Sequence, residues 1–455
     1  MNWNSAGRIW SVPTILFVSW MATGPDAHAQ IGPGAGPGAT DKSAAPALAD
    51  DRSLSGTVLE RGTYVRAVLR RNQSIESAKQ AWQAAMGRAQ QAGSLEDPMV
   101  NVEVAPLSIG SHSARLGWTA MVSQHLPWPG KLALDESVAR AEADAAKNDL
   151  EASRRELALT ASLLFDRYFV AVRSIDVNAH HVELLRSMQA AATTQYEVGR
   201  GSAQDPLQAE FELTHMEHDT VILASQRDVT VAQMNELLHR EPSSPFAPPP
   251  KELASSIRAD ALDTSLLETE TATRRPEIMA ARERARAAQA RADRGAREYW
   301  PDLTVSTSFN SMWDMPEHRW MVGLGFNLPI RAGRRGGAVE EAKAMRAQYE
   351  ADAARMTDMA RTQVVVAHKQ LEECEHVLHI FEERLLPIAR RQVDAARAAF
   401  VSSHVPFVAV IDAEKNLRGV ELDQQAAQAD YDRGRAELDR ALGRIPGLDG
   451  KEDAR

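Results

Sequence analysis

The sequence contains two copies of one pattern, and this internal repeat limits the possible folds more than any other feature. A shift of about 203 residues aligns the stretch that begins with NQSIESAKQAW at Asn72 with the stretch that begins with RPEIMAARERA at Arg275. A shift of about 204 residues aligns LHREP at 238–242 with LGRIP at 442–446. A period kept over so much of the chain predicts a fold built from two similar units.

The two repeats are predicted to span residues 60–242 and 264–447. They are joined by a proline-rich linker at 243–263 and followed by a short tail at 448–455. In each repeat the pattern predicts the same order of elements: a helix, two alternating segments, a very long helix, a turn and a returning helix.

The chain begins with the features of an exported protein. Arg8, the apolar run IWSVPTILFVSWMA and Ala-His-Ala at 27–29 predict a signal peptide over residues 1–29, followed by a flexible leader over 30–59. An N-terminal membrane anchor is the alternative. The apolar run has only about 14 residues, however, and a spanning helix needs about 20.

The alternating segments predict four short strands at about 98–107, 114–127, 301–310 and 319–329. The last is the clearest, because every second residue of RWMVGLGFNLP from Trp320 onward is large and apolar. Such alternation is typical of membrane-spanning strands. It is equally typical of a half-buried sheet in a soluble protein, and periodicity alone does not separate the two.

Long helices follow both strand pairs. Residues 132–198 contain no glycine or proline, which predicts a helix about 100 Å long at about 1.5 Å per residue. In the second repeat apolar residues recur in steps of three and four, the spacing of coiled-coil packing. This second stripe consists of Val364, Ala367, Leu371, Cys374, Leu378, Phe381, Leu385 and Ile388. We expect Pro387 to bend the helix locally.

A single chain with this plan is incomplete if its strands cross a membrane. Four strands cannot close a barrel, since about eight is the smallest number that closes. An open sheet in lipid would leave unpaired backbone groups at its edges. Three copies would supply twelve strands and twelve helices. The expected fold class is therefore mainly α with a membrane β-barrel formed by a homotrimer.

Several motifs, together with the repeat and the signal peptide, resemble the TolC family of outer-membrane efflux factors. They are LEDPMVNVEV, SQHLPWPGKL, YEVGRGSAQDPLQAEFEL, RPEIMAARERARAA, YWPDLTVS and LPIRAGRR. The resemblance covers about residues 60–447. It implies a homotrimer with a twelve-stranded barrel in the lipid of the bacterial outer membrane and a long helical barrel in the periplasm.

The resemblance also implies a function, the passive exit duct of a tripartite efflux pump. The partners would be a periplasmic membrane-fusion adaptor and an inner-membrane transporter. LPWPGK resembles members paired with heavy-metal pumps of the resistance-nodulation-division type, which makes heavy-metal cations the expected substrates. The alternatives are an exit duct for drugs or other small organic molecules, or for type I protein secretion.

In the family, the turns between the long helices form the periplasmic entrance and contact the adaptor. The residues that match these tips are Val198, Gly199, Asp205, Ser403, His404 and Pro406. Gly199 suits a tight reversal after a helix, where a positive φ is favoured, whereas the second tip has Ser403 at that position. An ordinary helix-hairpin turn with no partner is the simpler alternative.

Asp412 matches an aspartate that lines the entrance constriction of family members. Threefold symmetry would make it a ring of carboxylates that attracts cations. Ala409 stands where a second acidic ring is often present, so weaker cation selectivity is expected. A solvated aspartate near a helix end is the alternative.

The strand-to-helix junctions are the third candidate site. Pro127 and Pro129 would end the strand ladder because neither can donate a backbone hydrogen bond. Trp128 suits a membrane interface, and Gly130 lets the backbone turn sharply into the helix. Pro329 occupies the corresponding place in the second repeat. We expect these five residues to form the hinge between barrel and helices.

Two groups of histidines have the spacing of metal ligands on a helix. They are His368, Glu372, His376 and His379, and His215, His218 and Asp219. Histidines on the wet face of a helix explain the same pattern, and no metal site is predicted. Cys374 lies on the apolar stripe and is expected to pack in the core.

The sequence argues against several other classes of function. It has no G-x-S-x-G, phosphate-loop or CxxC motif, so neither an enzyme nor a cofactor is expected. A formal net charge of -10 argues against binding to nucleic acid. A soluble periplasmic coiled-coil adaptor is disfavoured by the repeat and the four strands, and a lipid-embedded enzyme by the missing motifs.

Overall fold

The computed structural model describes residues 53–110, 116–253, 274–330, 332–402 and 404–448. The expected signal peptide, most of the leader, the second half of the linker and the tail beyond 448 lie outside the described residues.

The first repeat contains four helices and two strands. They are α1 (Arg61–Arg71), α2 (Gln73–Ala92), β1 (Met99–Val104), β2 (Trp118–Leu126), α3 (Lys131–Glu197) and α4 (Gln204–Leu237). The 67 residues of α3 form one unbroken helix, as the absence of glycine and proline predicts.

The described part of the second repeat has the same order of elements as the first repeat has from α2 onward. They are α5 (Pro276–Ala296), β3 (Leu303–Asn310), β4 (Trp320–Phe326), α6 (Ala332–Ile380), a π-helical segment (Phe381–Leu385), α7 (Leu386–Val401) and α8 (Phe407–Ala441). Together α6, the π-helical segment and α7 correspond to α3. Among the described residues, no helix is both long and apolar enough to cross a membrane.

The four strands form one antiparallel sheet in the order β1-β2-β3-β4. The central pair joins the repeats, with Thr119 opposite Asn310 and Leu126 opposite Leu303. The strands are shorter than the alternation predicts. β1 ends at Val104 because Pro106 begins a short 3-10 turn, and β4 ends before Pro329, which cannot donate to the ladder.

The large apolar side chains of the sheet are exposed. Val322 is 81% exposed, and Val100 opposite Val122 is also open to the surroundings. In addition, β1 and β4 each pair with one neighbour only. The described chain therefore leaves both an apolar face and two backbone edges of its sheet uncovered.

The helices that adjoin the sheet pack in the same order as the strands to which they are connected. Next to the sheet, α2, α3, α5 and α6 pack side by side, and farther along α3 packs against α4 and α8. The main core lies where α1 meets α3, with Tyr64, Phe165 and Phe169 fully buried. Phe165 and Phe169 are four residues apart and so lie on one face of α3. Ala429 of α8 joins the same cluster, so both repeats share this core.

The apolar stripe of the second repeat changes register at the π-helical segment. Strict steps of three and four predict Leu385 and Ile388 in the seam, but both are exposed, and this prediction is wrong. The buried residues are Leu386 and Ala389 instead. Pro387 has no N–H and its ring crowds the preceding turn of an α-helix. The wider π turn relieves this crowding, contains one extra residue and moves the seam by one position.

A buried ionic cluster also ties the repeats together. Arg61 of α1 donates to Asp166 of α3, and its Nη2 lies 3.0 Å from Oδ2 of Asp432 of α8. Burial is the largest influence on Asp166 and, despite the attraction of Arg61, raises its pKa to about 7. Two carboxyl groups thus share one guanidinium in the core.

The register change predicts where a residue can be deleted. With Pro387 replaced by alanine, deleting Glu382 should restore a continuous α-helix and keep Leu386 in the seam. Deleting Glu373 in the same background should rotate the seam by about 100° and lower the free energy of unfolding by on the order of 3 kcal/mol. Thermal unfolding of the two variants checks this. Equal loss from both deletions would contradict the account of the π-helical segment.

The raised pKa of Asp166 predicts a pH dependence of stability. The folded chain keeps this proton at pH values where the unfolded carboxyl group, with a pKa of about 3.9, has lost it. Its stabilising contribution is therefore full below about pH 4 and is lost as the pH rises through about 7. In the Asp166→Asn variant the midpoint of thermal unfolding should fall less between pH 5 and pH 8. Asp176→Asn, at an exposed position on α3, should keep the wild-type slope, and identical slopes in all three proteins would refute the assignment.

Candidate functional sites at the helix tips and the strand-to-helix junction

Two helical hairpins, α3 with α4 and α7 with α8, have their turns at the same end of the described chain. Val182 of α3, Ala209 of α4 and Ile411 of α8 belong to one buried cluster. The rings of Phe400 and Phe407, on either side of the second tip, are 5.4 Å apart. The two predicted tips, 200 residues apart in sequence, are thus packed against a shared core.

The first tip is a tight turn with a left-handed glycine. Gly199 has a φ of 71°, and the N–H of Arg200 donates to the carbonyl of Gln195 at 2.9 Å. Asp205, in the first turn of α4, accepts a hydrogen bond from the N–H of Ser202 at 3.2 Å. This carboxylate closes the turn and lies at a helix N-terminus, where negative charge is favoured. Val198 is exposed beside it.

The second tip closes with the same backbone hydrogen bond but carries different side chains. The N–H of His404 donates to the carbonyl of Ala399 at 2.8 Å, and the ring Nδ1 of His404 lies 2.9 Å from Oγ of Ser402. Pro406 precedes α8 in an extended conformation. Ser403 lies outside the described residues. Ser402, His404 and Pro406 thus supply the described side chains around this turn.

Asp412 lies on the exposed face of α8, five residues after the helix begins. Its neighbours Ile411 and Ala413 are both buried, so the carboxylate points away from the tip cluster. Ala409, on the preceding turn, adds no charge to this face. The structure thus makes Asp412 accessible from outside the chain.

Helix α4 carries an exposed stripe of coiled-coil spacing that begins at the first tip. Its members are Leu207, Phe211, Thr214, His218, Val221 and Ser225. Phe211 is 71% exposed. Steps of four and three on an uncovered helix face are typical of a seam that packs against another helix. No described element of the chain covers this stripe.

The first strand-to-helix junction is a sharp turn fixed by aromatic stacking. Gly130 has a φ of 88°, and the N–H of Lys131 donates to the carbonyl of Trp128 at 3.0 Å. The rings of Trp128 and Trp300 stack with centroids 5.2 Å apart and an interplanar angle of 14°. The two repeats therefore meet at this turn.

A buried lysine holds the same junction. Lys131 is 0% exposed, and its Nζ lies 2.8 Å and 3.0 Å from the two carboxylate oxygens of Asp302. The N–H of Trp128 donates to Asp302 at 2.7 Å. Burial by itself would raise the pKa of Asp302, but the hydrogen bonds from Lys131 and Trp128 outweigh it and hold that pKa below its usual value. The first residue of α3 is thus bonded to the residue that precedes β3.

The sequence analysis assigned no role to Lys131, Trp300 or Asp302. A signal was available, because Trp-Pro occurs in both LPWPGK and YWPDL. Among the described residues, the second junction has no stacked pair of tryptophans. There Pro329 is half-buried, and the N–H of Ile330 donates to the carbonyl of Leu328 at 2.8 Å, two residues before α6 begins.

The histidine groups are engaged with their own helices. His215 and His218 each lie 3.6 Å from Asp219, which also pairs with Arg418 of α8. His376 contacts the carbonyl of Glu372. Within the described ranges, no set of three or more His, Cys, Asp or Glu side chains could hold a metal ion.

The geometry of the first junction predicts what happens when its turn residues are replaced by a helix-forming residue. Replacing Pro129 and Gly130 together by alanine should reduce the yield of assembled protein several-fold. Alanine at position 130 would carry a left-handed strain of about 1–2 kcal/mol, and its Cβ would collide with Arg297, which donates to the carbonyl of Pro129. Gly87→Ala, in α2 where a Cβ meets no atom, is the control and should assemble normally. Normal assembly of the junction variant, measured by size-exclusion chromatography, would contradict this account.

One family model matches the chain. Residues 268–444, most of the second repeat, match the model described as outer membrane efflux protein. A search of curated proteins finds no match to the sequence.

Solved structures of outer-membrane channels share the fold. The outer-membrane channel OprN is 18% identical, with 87% of this chain and 94% of OprN covered and a TM-score of 0.71. CusC, studied for its folding and transmembrane channel formation, is 17% identical, with 85% and 93% covered and a TM-score of 0.71. The outer membrane protein VceC from Vibrio cholerae is 16% identical, with 84% and 96% covered and a TM-score of 0.71.

At these identities the likeness to the solved structures is a likeness of fold. Together with the family match, it confirms the resemblance that the motifs carry. The second repeat is thus similar to the outer membrane efflux protein family, and the chain has the fold of the TolC-like outer-membrane channels.

Proposed function

We propose that this chain is the outer-membrane channel of a tripartite efflux pump. It would act as a passive exit duct, driven by an inner-membrane transporter and joined to it by a periplasmic adaptor. The observation that carries the proposal is the uncovered apolar sheet at one end of long helices with exposed polar faces.

The sheet supports a position in the membrane. Its strands have six to nine residues, and the longest reaches the length of a spanning strand, about 9–11 residues. Their exposed apolar residues would face lipid, and the stacked Trp128 and Trp300 lie where the strands end and the helices begin. Tryptophan is enriched at that level of a membrane.

The unpaired surfaces support a homotrimer. Three copies would join each β4 to the β1 of the next copy and close a barrel of twelve strands. The stripe on α4 that includes Leu207, Phe211 and Val221 would meet the neighbouring copy in the helical layer. Both kinds of uncovered surface are then buried by the same assembly.

The tips are the proposed entrance and adaptor contact. Val198, Gly199 and Asp205 would form the first tip, and Ser403, His404 and Pro406 the second. Three copies of the exposed Asp412 would place a ring of carboxylates close to the tips, which favours the passage of cations.

We propose heavy-metal cations as the substrates. The support is the LPWPGK motif, together with the acidic ring at Asp412. An exit duct for drugs or other small organic molecules is the competing proposal, since channel folds of this kind leave the choice of cargo to the transporter.

The function is tested by deleting the gene in its host and challenging the cells with copper, silver, zinc or cobalt, beside dyes and detergents. Metal tolerance should fall and return with the wild-type gene, because the exit step of the pump is lost. Unchanged metal tolerance with lost dye tolerance would favour the drug duct. Unchanged tolerance to every agent would refute the efflux proposal.

The same strain tests the assembly. Phe211→Glu places a charge in the α4 stripe and should abolish both complementation and the trimer band after chemical crosslinking. Glu210→Gln, at the adjacent exposed position, is the matched control and should preserve both. Crosslinking of the wild type that stops at a dimer would overturn the homotrimer.

A further inference from the structure

A buried histidine lies between the two hairpins close to the tips. His181 of α3 is only 2% exposed. Its Nε2 lies 3.0 Å from Oε2 of Glu421, and its Nδ1 lies 3.8 Å from Oε2 of Glu414. Both carboxylates belong to α8, so one imidazole ring faces two acidic groups of the other repeat.

Two arginines of α7 contact the same two carboxylates. Arg397 of α7 pairs with Glu414, and Arg390 of α7 lies 3.8 Å from Glu421. The hydrogen bond from His181 is the largest influence on Glu421 and, with Arg390, lowers its pKa. Glu421 therefore stays ionised as the imidazole changes its charge.

Other charged groups surround this site on each neighbouring helix. Lys415 of α8 lies 3.1 Å from Glu212 of α4, and Arg418 of α8 pairs with Asp219 of α4. The ring of His180 is 5.7 Å from that of His181 on α3 itself. The four basic groups Lys415, Arg418, Arg390 and Arg397 balance the four acidic groups Glu212, Asp219, Glu414 and Glu421.

Two buried polar atoms face each other here without a partner. Nδ1 of His181 and Oε2 of Glu414 are both buried and make no hydrogen bond. They border a cavity of about 10 Å³ that Glu212 and Met188 also line. A neutral imidazole that donates through Nε2 has only a lone pair on Nδ1. Two acceptors then face each other at 3.8 Å, whereas a proton on Nδ1 would draw the two atoms together into a charge-assisted hydrogen bond.

We propose that His181 is a proton-operated latch between the two hairpins. Protonation adds a second bond from α3 to α8 and holds the tips together, and loss of the proton releases that bond. Histidine is the side chain that changes charge between about pH 5 and pH 8. The physiological meaning, a duct that opens less readily in acid, rests on the proposed function.

The latch is tested with the purified full-length protein in planar lipid bilayers. The open probability of the wild type should rise about fivefold between pH 5.5 and pH 8, the lower end of typical coupling between two sites. His181→Gln keeps a donor toward Glu421 but cannot gain a proton, so its open probability should not change with pH. His379→Gln, at an exposed position on α6, should respond like the wild type. A full pH response in His181→Gln would overturn the proposal.

A second readout separates the latch from the channel. Hydrogen exchange of the detergent-solubilised protein, corrected for intrinsic exchange rates, should show more protection at 178–188 and 411–421 at pH 5.5 than at pH 8. Glu414→Gln, which removes one acceptor and leaves His181 in place, should remove most of this difference. A difference in exchange without channel currents would refute the duct and leave the latch standing. Channel currents with equal protection at both pH values would refute the latch alone.

Discussion

The pairing of β2 with β3 is the contact on which the rest of the structure depends. Among the described strands it is the one pairing that joins the repeats, and it runs from Thr119 opposite Asn310 to Leu126 opposite Leu303. Because the two strands are antiparallel, α3 leaves β2 at the same edge at which α5 enters β3. The helices must then pack in the order of the strands. The repeats are thereby brought side by side, and β1 and β4 are left as outer strands.

Buried charges extend this contact along the helices. Lys131 bonds to Asp302 at the edge of the sheet, Arg61 joins Asp166 to Asp432 in the main core, and His181 faces Glu414 and Glu421 near the tips. Each group crosses from one repeat to the other. Ion pairs of this kind add little net stability, because both partners lose their hydration. A mispaired arrangement, however, would leave a charge buried alone, so these pairs favour one register of the long helices over its neighbours.

The sequence contains the periodic features of this fold more clearly than its irregular ones. The unbroken α3 followed from the absence of glycine and proline, and the left-handed turn from Gly199, because both are local properties of the backbone. The seam beyond Phe381 was predicted one residue out of register, because a proline in a helix can be relieved by a bend or by a π turn and the sequence does not select between them. The partners of Lys131 and His181 lie more than 150 residues away in sequence, so they depend on how the helices pack.

The widths of the two layers explain why the junction has to be a sharp turn. Four strands spaced by about 4.8 Å occupy about 19 Å, whereas four helices spaced by about 9 Å occupy about 36 Å. The helical layer of one chain is thus nearly twice as wide as its sheet, and α3 cannot continue straight from β2. Gly130, with its positive φ, supplies the change of direction, and the stacked rings of Trp128 and Trp300 pack against each other at this turn. The same turn places Lys131 beside Asp302, so the ammonium group is buried with a partner, and the change of direction, the aromatic pair and the ion pair occur at one place.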